Sequence, residues 1–446
     1  MKANNSMNYR ALTVTGILAA FVWCMACSFF IAAIGLCSSV SVRWEIGGVS
    51  PSALVRQQKY AKQDGLSKQP QVTLWQVYSA REIMDADMGS TTADVVVVFG
   101  ACEDITSKTI LVGSLPSQSD TAGCAISSEL AFSLWGSTNV LGMQIKIGGE
   151  VLYVRGVFDD DTSRVFRQAE EESSDTLSNM QLIFSDGGTR EMAERYLTAS
   201  DFTGGTIIDL PLMGWVFGMI YRLPALVLAF GIVIRLIKRG GKLRHYPMWM
   251  ISYLPLALIA LAGLVICIDL PHIPSSFIPS RWSDFKFWKN LFLDHWENLT
   301  VWMSAAPTFR DKELWNAAFL LLLFSLFASI LMAIAARITS IRSYSGLVLS
   351  CVIYTLSLCL ISVKIVSYNN ISIGKVMYFM PCLWLCIDLL LHWQGGKLGF
   401  VSHERRFSVD KNSSLPKKEY LCRKRRGSPN TYTGKNNKMN MNTRPR

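Results

Sequence analysis

Cysteines, histidines and carboxylates are the residues through which this chain could do chemistry, and their spacing decides how far each can be taken. Cys24 and Cys27 form a C-x-x-C, and Cys382 and Cys386 a C-x-x-x-C, but both pairs lie inside long apolar runs, where a thiol behaves as a small hydrophobe. Histidine occurs at 245, 272, 295, 392 and 403, never as His-Glu-x-x-His and never with Cys at zinc-like spacing, which argues against a metalloenzyme. Asp159 to Asp161 and Glu170 to Glu172 read as a solvated acidic loop over 159–175, since their spacing matches no calcium loop. No Gly-x-x-x-x-Gly-Lys-Ser/Thr occurs, so the chain has no phosphate-cradling loop and ATP-driven work needs a partner. The residues specify no catalytic site, cofactor or metal, and the chain reads as a non-enzyme.

Charge inside a bilayer is a functional candidate by default. Asp388 is the best placed, with His392 one helical turn below it on the same face. Lys364 and Arg222 fall near the outer ends of their runs, where long cations snorkel to the surface. Asp388 then serves either transport or a structural hydrogen bond to a neighbouring helix.

The elements that must carry these residues are set by hydropathy. Half of the 446 residues are hydrophobic and 17% are charged, a balance that a soluble chain of this length would find hard to hide from water. The net charge of +11 belongs to the tail, where Lys397 to Arg446 holds fourteen Lys or Arg against Glu404, Asp410 and Glu419. A basic tail after an apolar run suits an anionic membrane surface, so membrane lipid is the expected partner and nucleic acid is not.

A transmembrane helix needs about 20 apolar residues, and runs at 11–38, 214–237, 246–269, 314–336, 344–367 and 375–393 predict six. Lys2 and Arg10, then Lys238 to Arg244, Arg337 with Arg342, and the tail all fall on one side of an alternating path. That predicts a multi-pass cell-membrane protein with both termini cytoplasmic. The first run is long for a signal peptide and ends without an A-x-A site, so it reads as an anchor. Arg222 and Pro224 interrupt the second, and Ile207 to Tyr221 reads as an amphipathic lead-in on the outer surface.

The expected parts are residues 1–38 (N-terminus and first helix), 39–205 (an extracytoplasmic domain) and 206–269 (helices two and three). An outer loop at 270–313, helices four to six at 314–393 and a disordered basic tail at 394–446 complete the chain. Within 39–205, Val72 to Tyr78 and Asp94 to Phe99 read as strands. Ser127 caps a short helix ending at Gly136, and Thr189 to Leu197 forms another. Gln144 to Ile147 and Val151 to Phe158 flank a hairpin at Gly148-Gly149-Glu150. Cys102 and Cys124, the two cysteines of this domain, are either a disulfide or two buried thiols. In the outer loop Trp282, Phe285, Trp288, Phe292, Trp296, Leu299 and Met303 recur at the spacing of one helix face. An interfacial helix on the outer leaflet needs that stripe, and so does a helix packed on the outer domain.

Asp120-Thr-Ala-Gly-Cys-Ala-Ile-Ser-Ser-Glu-Leu-Ala-Phe-Ser-Leu-Trp-Gly136, followed by Gly142 to Phe158 with its hairpin and closing Val-Arg-Gly-Val, resembles the MacB-type periplasmic core domain of ABC-transporter permeases. Ile278 to Phe285 is also similar to a run in Firmicutes permease-like proteins. The apolar runs and the resemblance together give a membrane α-helical protein with one extracytoplasmic mixed α+β MacB-like domain; the six transmembrane helices come from the runs, whereas permeases of that family commonly have four crossings, or ten in duplicated forms. The resemblance also implies export or transmembrane mechanotransmission under a separate cytoplasmic ABC ATPase. The family's cytoplasmic segment of the E-R-x-x-E-I-G kind has no counterpart here, since the connection Lys238 to His245 is short and basic. A non-transporting envelope sensor or scaffold is the alternative.

Overall fold

A computed structural model of the chain describes residues 2–63, 69–85, 89–185, 187–243, 247–268, 285–304, 307–338, 343–369 and 374–412. Two expectations, the Trp282 start of the amphipathic helix and the tail beyond Asn412, lie outside the described residues. The chain forms two units, Met1–Leu391 and His392–Arg446.

Helix α1 (Lys2–Leu36) leads within four residues into β1 (Val40–Arg43), the first strand of the outer domain. There follow α2 (Pro51–Gln63), β2 (Gln71–Asp85), β3 (Ser90–Phe99), β4 (Ile110–Gly113), β5 (Gly123–Ser127), α3 (Ser128–Trp135), β6 (Gln144–Ile147) and β7 (Glu150–Phe158). The domain closes with β8 (Arg164–Gln168), β9 (Asn179–Ile183), α4 (Arg190–Ala199) and β10 (Thr206–Ile208). One mixed sheet runs in the order β10-β1-β9-β2-β3-β8-β5-β7-β4, with β6 bridging β2 and β7. Local chemistry explains the predicted pieces. Ser127 accepts a hydrogen bond from the Leu130 amide as the α3 cap, and Gly136 ends that helix in the left-handed region. Gly148 and Gly149, both at positive φ, close the two-residue loop between β6 and β7.

One expectation is corrected here: 159–175 is not a solvated loop throughout. Val165 and Phe166 lie in β8, a buried strand parallel to β3 and antiparallel to β5, and Asp160 is buried beside it. Val165 and Phe166, adjacent in β8, enter core clusters on opposite faces of the sheet and outweigh the flanking acids, which occupy the turns.

Alternation also splits the core. Leu74 on β2 faces a cluster with Val40, Leu54, Met180 and Tyr196, beneath α2 and α4. Cys124 and Ile126 on β5 face a second with Val95, Leu130 and Val154, beneath α3. Ala125 turns to the other face, where Trp75, Val98, Cys102, Phe158 and Phe166 form a third.

The remaining helices are α5 (Leu210–Tyr221), α6 (Leu223–Leu243), α7 (Pro247–Ile268), α8 (Phe285–Ser304), α9 (Phe309–Ile338), α10 (Tyr344–Asn369) and α11 (Lys375–Asn412). Four segments, Thr13–Leu36, Phe309–Ile338, Tyr344–Val363 and Lys375–Trp393, are long and apolar enough to cross a membrane. The α5–α6 pair, bent by 52°, adds a fifth if it is one span, and Tyr253–Ile266 in α7 is a shorter apolar helix. Among the described residues the count is thus four or five, against the six predicted. Arg222 closes α5, and Pro224 sits in the first turn of α6, where its missing N–H costs nothing. The expected surface lead-in is instead a packed helix, because Gly214 lets α5 approach Ile34 of α1 and Cys37 just past its end closely. Past Trp393, where disorder was expected, α11 continues as helix to Asn412.

Candidate functional site

The first turn of α9 is built into the base of the sheet domain. Thr308 and Asp311 cap it reciprocally: Asp311 Oδ2 accepts from the Thr308 amide and hydroxyl, both at 2.8 Å, and the Asp311 amide donates to Thr308 Oγ1 at 3.4 Å. The same carboxylate takes a two-pronged guanidinium from β1, with Arg43 Nη1 2.7 Å from Oδ2 and Nη2 2.7 Å from Oδ1. Trp302 Nε1, near the end of α8, donates to Oδ1 at 3.0 Å. One buried carboxylate therefore joins β1, α8 and α9, in the fork geometry that makes Arg–carboxylate pairs strong and directional.

Neighbouring residues extend the joint. Phe309 packs its ring edge-on against Trp75 (centroids 5.4 Å) and Phe166 (6.2 Å), reaching the third core cluster. Arg164 of β8 lies over the Phe309 ring at 4.3 Å and pairs with Asp160 at 2.6 Å. Glu313, one turn along α9, sits 3.5 Å from Arg164 and 3.6 Å from Lys108. Arg310, also buried, donates from Nη2 to the Leu36 carbonyl at 3.0 Å and so caps the C-terminal end of α1. Elsewhere in the domain Asp209, which follows β10, caps α5 by accepting from the Leu212 amide at 3.1 Å. The cluster presents no nucleophile–base pair, and among the described residues no group of three or more His, Cys, Asp or Glu could hold a metal ion. Its side chains tie α1, α8 and α9 to the sheet domain.

Asp388 has a partner that the hydropathy runs hid. Arg235 of α6 pairs with the Asp388 carboxylate through Nη1, donates from Nη2 to the Ala336 carbonyl of α9 at 2.7 Å, and stacks over Trp384 at 4.5 Å. Three helices thus meet at one half-buried charge pair. Of the two open readings for Asp388, the structural bond to a neighbouring helix has a geometry, as an ion pair. His392 is exposed and opens the second unit.

Cys102 and Cys124 are free thiols on opposite faces of the sheet, so the disulfide alternative is corrected to two buried thiols. Gln168 Nε2 donates to Cys102 Sγ at 3.2 Å, while Cys124 Sγ donates to the Tyr153 carbonyl at 3.5 Å. Burial pushes both thiols up to about 12, so neither is a nucleophile at neutral pH. In α8, Phe285, Trp288, Phe292 and Trp296 are exposed along one face, with Phe292 and Trp296 stacked at 6.3 Å.

The sheet domain is similar to two solved extracytoplasmic domains. The periplasmic region of MacB from Actinobacillus actinomycetemcomitans shares 13% identity over 40% of this chain and 90% of that one, with a TM-score of 0.33. The extracellular domain of the noncanonic ABC-type transporter YknZ from Gram-positive bacteria shares 16% identity over 35% of this chain and 88% of that one, with a TM-score of 0.27. No family model and no curated protein matches the chain.

Sequence reading missed the joint altogether. Arg43, Arg310, Asp311 and Glu313 look like the flanking charges of any membrane helix. The available signal was Thr308-Phe-Arg-Asp311, a Thr-x-x-Asp cap before an apolar run. Arg235 was missed because it is one cation inside an otherwise apolar stretch from Ala225 to Ile237.

Proposed function

We propose that this chain is a permease-like integral membrane subunit that couples its extracytoplasmic domain to its membrane helices, in export or in transmembrane mechanotransmission with a separate ATPase. The observation that carries the reading is the Asp311 joint. A domain that merely bound a ligand at the surface could hang on a flexible linker, whereas here the first turn of α9 is part of the domain's own core and salt-bridge set. A displacement of α9 along or about its axis is then passed to β1 and β8 rather than lost in a loop. The Arg235–Asp388 pair supports the same reading at the other end of α9, since it holds α6 and α11 to the Ala336 carbonyl. Six crossings, cytoplasmic termini and lipid contact by the basic tail belong to this proposal.

The sensor or scaffold reading is favoured by one observation. α6 ends at Leu243 and α7 begins at Pro247, which leaves no length there for a coupling helix. Mild-detergent purification of the full chain from its own cells separates the two. Co-recovery of a nucleotide-binding ATPase supports the permease-like subunit. Repeated recovery without one, under conditions that retain other membrane complexes, selects the sensor.

A further inference from the structure

Helix α8 leaves a stripe of large apolar side chains uncovered along its length. Its outward face carries Phe285, Trp288, Phe292, Trp296 and Met303, of which Phe285 is 85% and Phe292 67% exposed. Phe287, Asn290, Leu291, Asp294, His295 and Glu297 line a groove shared with α4 and the start of α5, and of these Asn290, Asp294 and Glu297 are exposed polar residues on the side away from the aromatic stripe. A surface helix in water exposes its polar residues but turns such a stripe inward. An exposed aromatic face of five large side chains demands a cover.

The neighbouring elements say what that cover is. Trp302, near the C-terminal end of α8, meets Trp315 of α9 edge-on with centroids 5.9 Å apart. Trp315 begins the exposed apolar belt of α9, which continues through Phe319, Leu322 and Leu326 on a segment apolar enough to cross a membrane. The aromatic stripe of α8, which ends at Met303 beside buried Trp302, therefore lies next to the level where that apolar belt starts. Trp at that level, with exposed Lys289 beside the stripe, is the composition of a helix lying in the headgroup region.

We infer that α8 is a membrane-surface arm: its aromatic face is immersed in the leaflet on the domain side, and Trp302 ties it to the Asp311 joint. The occupant of the exposed face is phospholipid, taken up at the boundary between headgroups and acyl chains. Because Asp311 accepts from both Trp302 and Arg43, the seating of α8 in the leaflet is linked to the joint through one carboxylate. The arm needs only that α9 crosses a membrane, so it stands or falls independently of any ATPase.

The test uses the full chain in liposomes made with and without phosphatidylcholine brominated on the acyl chain near the headgroup. Brominated lipid is expected to quench a component of tryptophan emission that is missing in W288F/W296F, and aqueous iodide is expected to spare that component. Equal quenching of parent and variant overturns the inference. So does a component reached by iodide but not by brominated lipid. So does one reached by neither, which would mean that a second copy or another protein covers the face. A measurement on the unmodified chain guards against a variant that fails to fold. Photoactivatable lipid should leave adducts on Phe285, Phe292 or Trp296 and none on Asn290 or Asp294; adducts on the polar face, or none on α8, contradict the arm.

Discussion

Arg43 of β1 and Asp311 of α9, 268 residues apart in sequence, face each other as a buried bidentate ion pair with both N–O distances at 2.7 Å. Burial makes the pair costly to break, because either partner left alone is an uncompensated charge out of water. D311N keeps the shape and the Thr308 cap but strands the Arg43 guanidinium. It is expected to destabilise the sheet domain by about 3–5 kcal/mol. R43M/D311N, which removes both charges, should recover part of that loss. Denaturant unfolding of the full chain in detergent, followed by the buried Trp75, measures both; additive losses would mean that the two residues do not interact.

Phe309 is expected to matter through packing alone. F309A removes the ring that touches Trp75 and Phe166 and the face on which Arg164 lies. A loss of about 3 kcal/mol is expected, the low end for a truncated aromatic, since the ring is only partly buried. F309L should cost less. Equal losses would show that the ring's shape is not what holds α9.

Inside the membrane, D388N is expected to be worse than the double change R235M/D388N. The single variant leaves Arg235 facing an amide, whereas the double removes the charge that needs a partner. Thermal inactivation of the full chain in bilayers ranks the three proteins. A double variant no better than D388N would assign Asp388 a role beyond holding Arg235.

The two domain thiols make a pH prediction. Each is raised from 9.0 to about 12 by burial, so the folded state keeps a proton that the unfolded state gives up above pH 9. Their contribution to stability is fully present below pH 9 and is lost as pH rises toward 12. The slope is about 1.4 kcal/mol per pH unit for each thiol. Unfolding between pH 8 and pH 11 should therefore show a steeper alkaline loss in the parent than in C102A/C124A. Alkylation under denaturing, non-reducing conditions should label both thiols; a mass for a joined pair of peptides would contradict the opposite-face placement.

What the sequence made legible follows from which interactions are local. The cap at Ser127, the glycine loop at 148–149 and the amphipathic period of 285–303 are written in neighbouring residues, and each reads through to the structure. Cys102 and Cys124 could not be read, because the sheet face of Cys124 depends on register with β7 and β8, set by distant strands, and Cys102 lies in a short helical turn after β3. β8 was hidden by acids that hold its turns. Arg43 and Asp311 were both visible as charges, but nothing local to either names the other. The joint is a long-range object, and only the fold brings its parts together.

Hydrogen exchange on the full chain in lipid nanodiscs tests the coupling most directly, by comparing the parent with R43Q. If the sheet domain and α9 act as one unit through Asp311, exchange in R43Q should rise together in residues 40–43 of β1 and in 308–314 of α9, with α10 unchanged. A rise confined to β1, with the first turn of α9 as protected as before, would contradict the account.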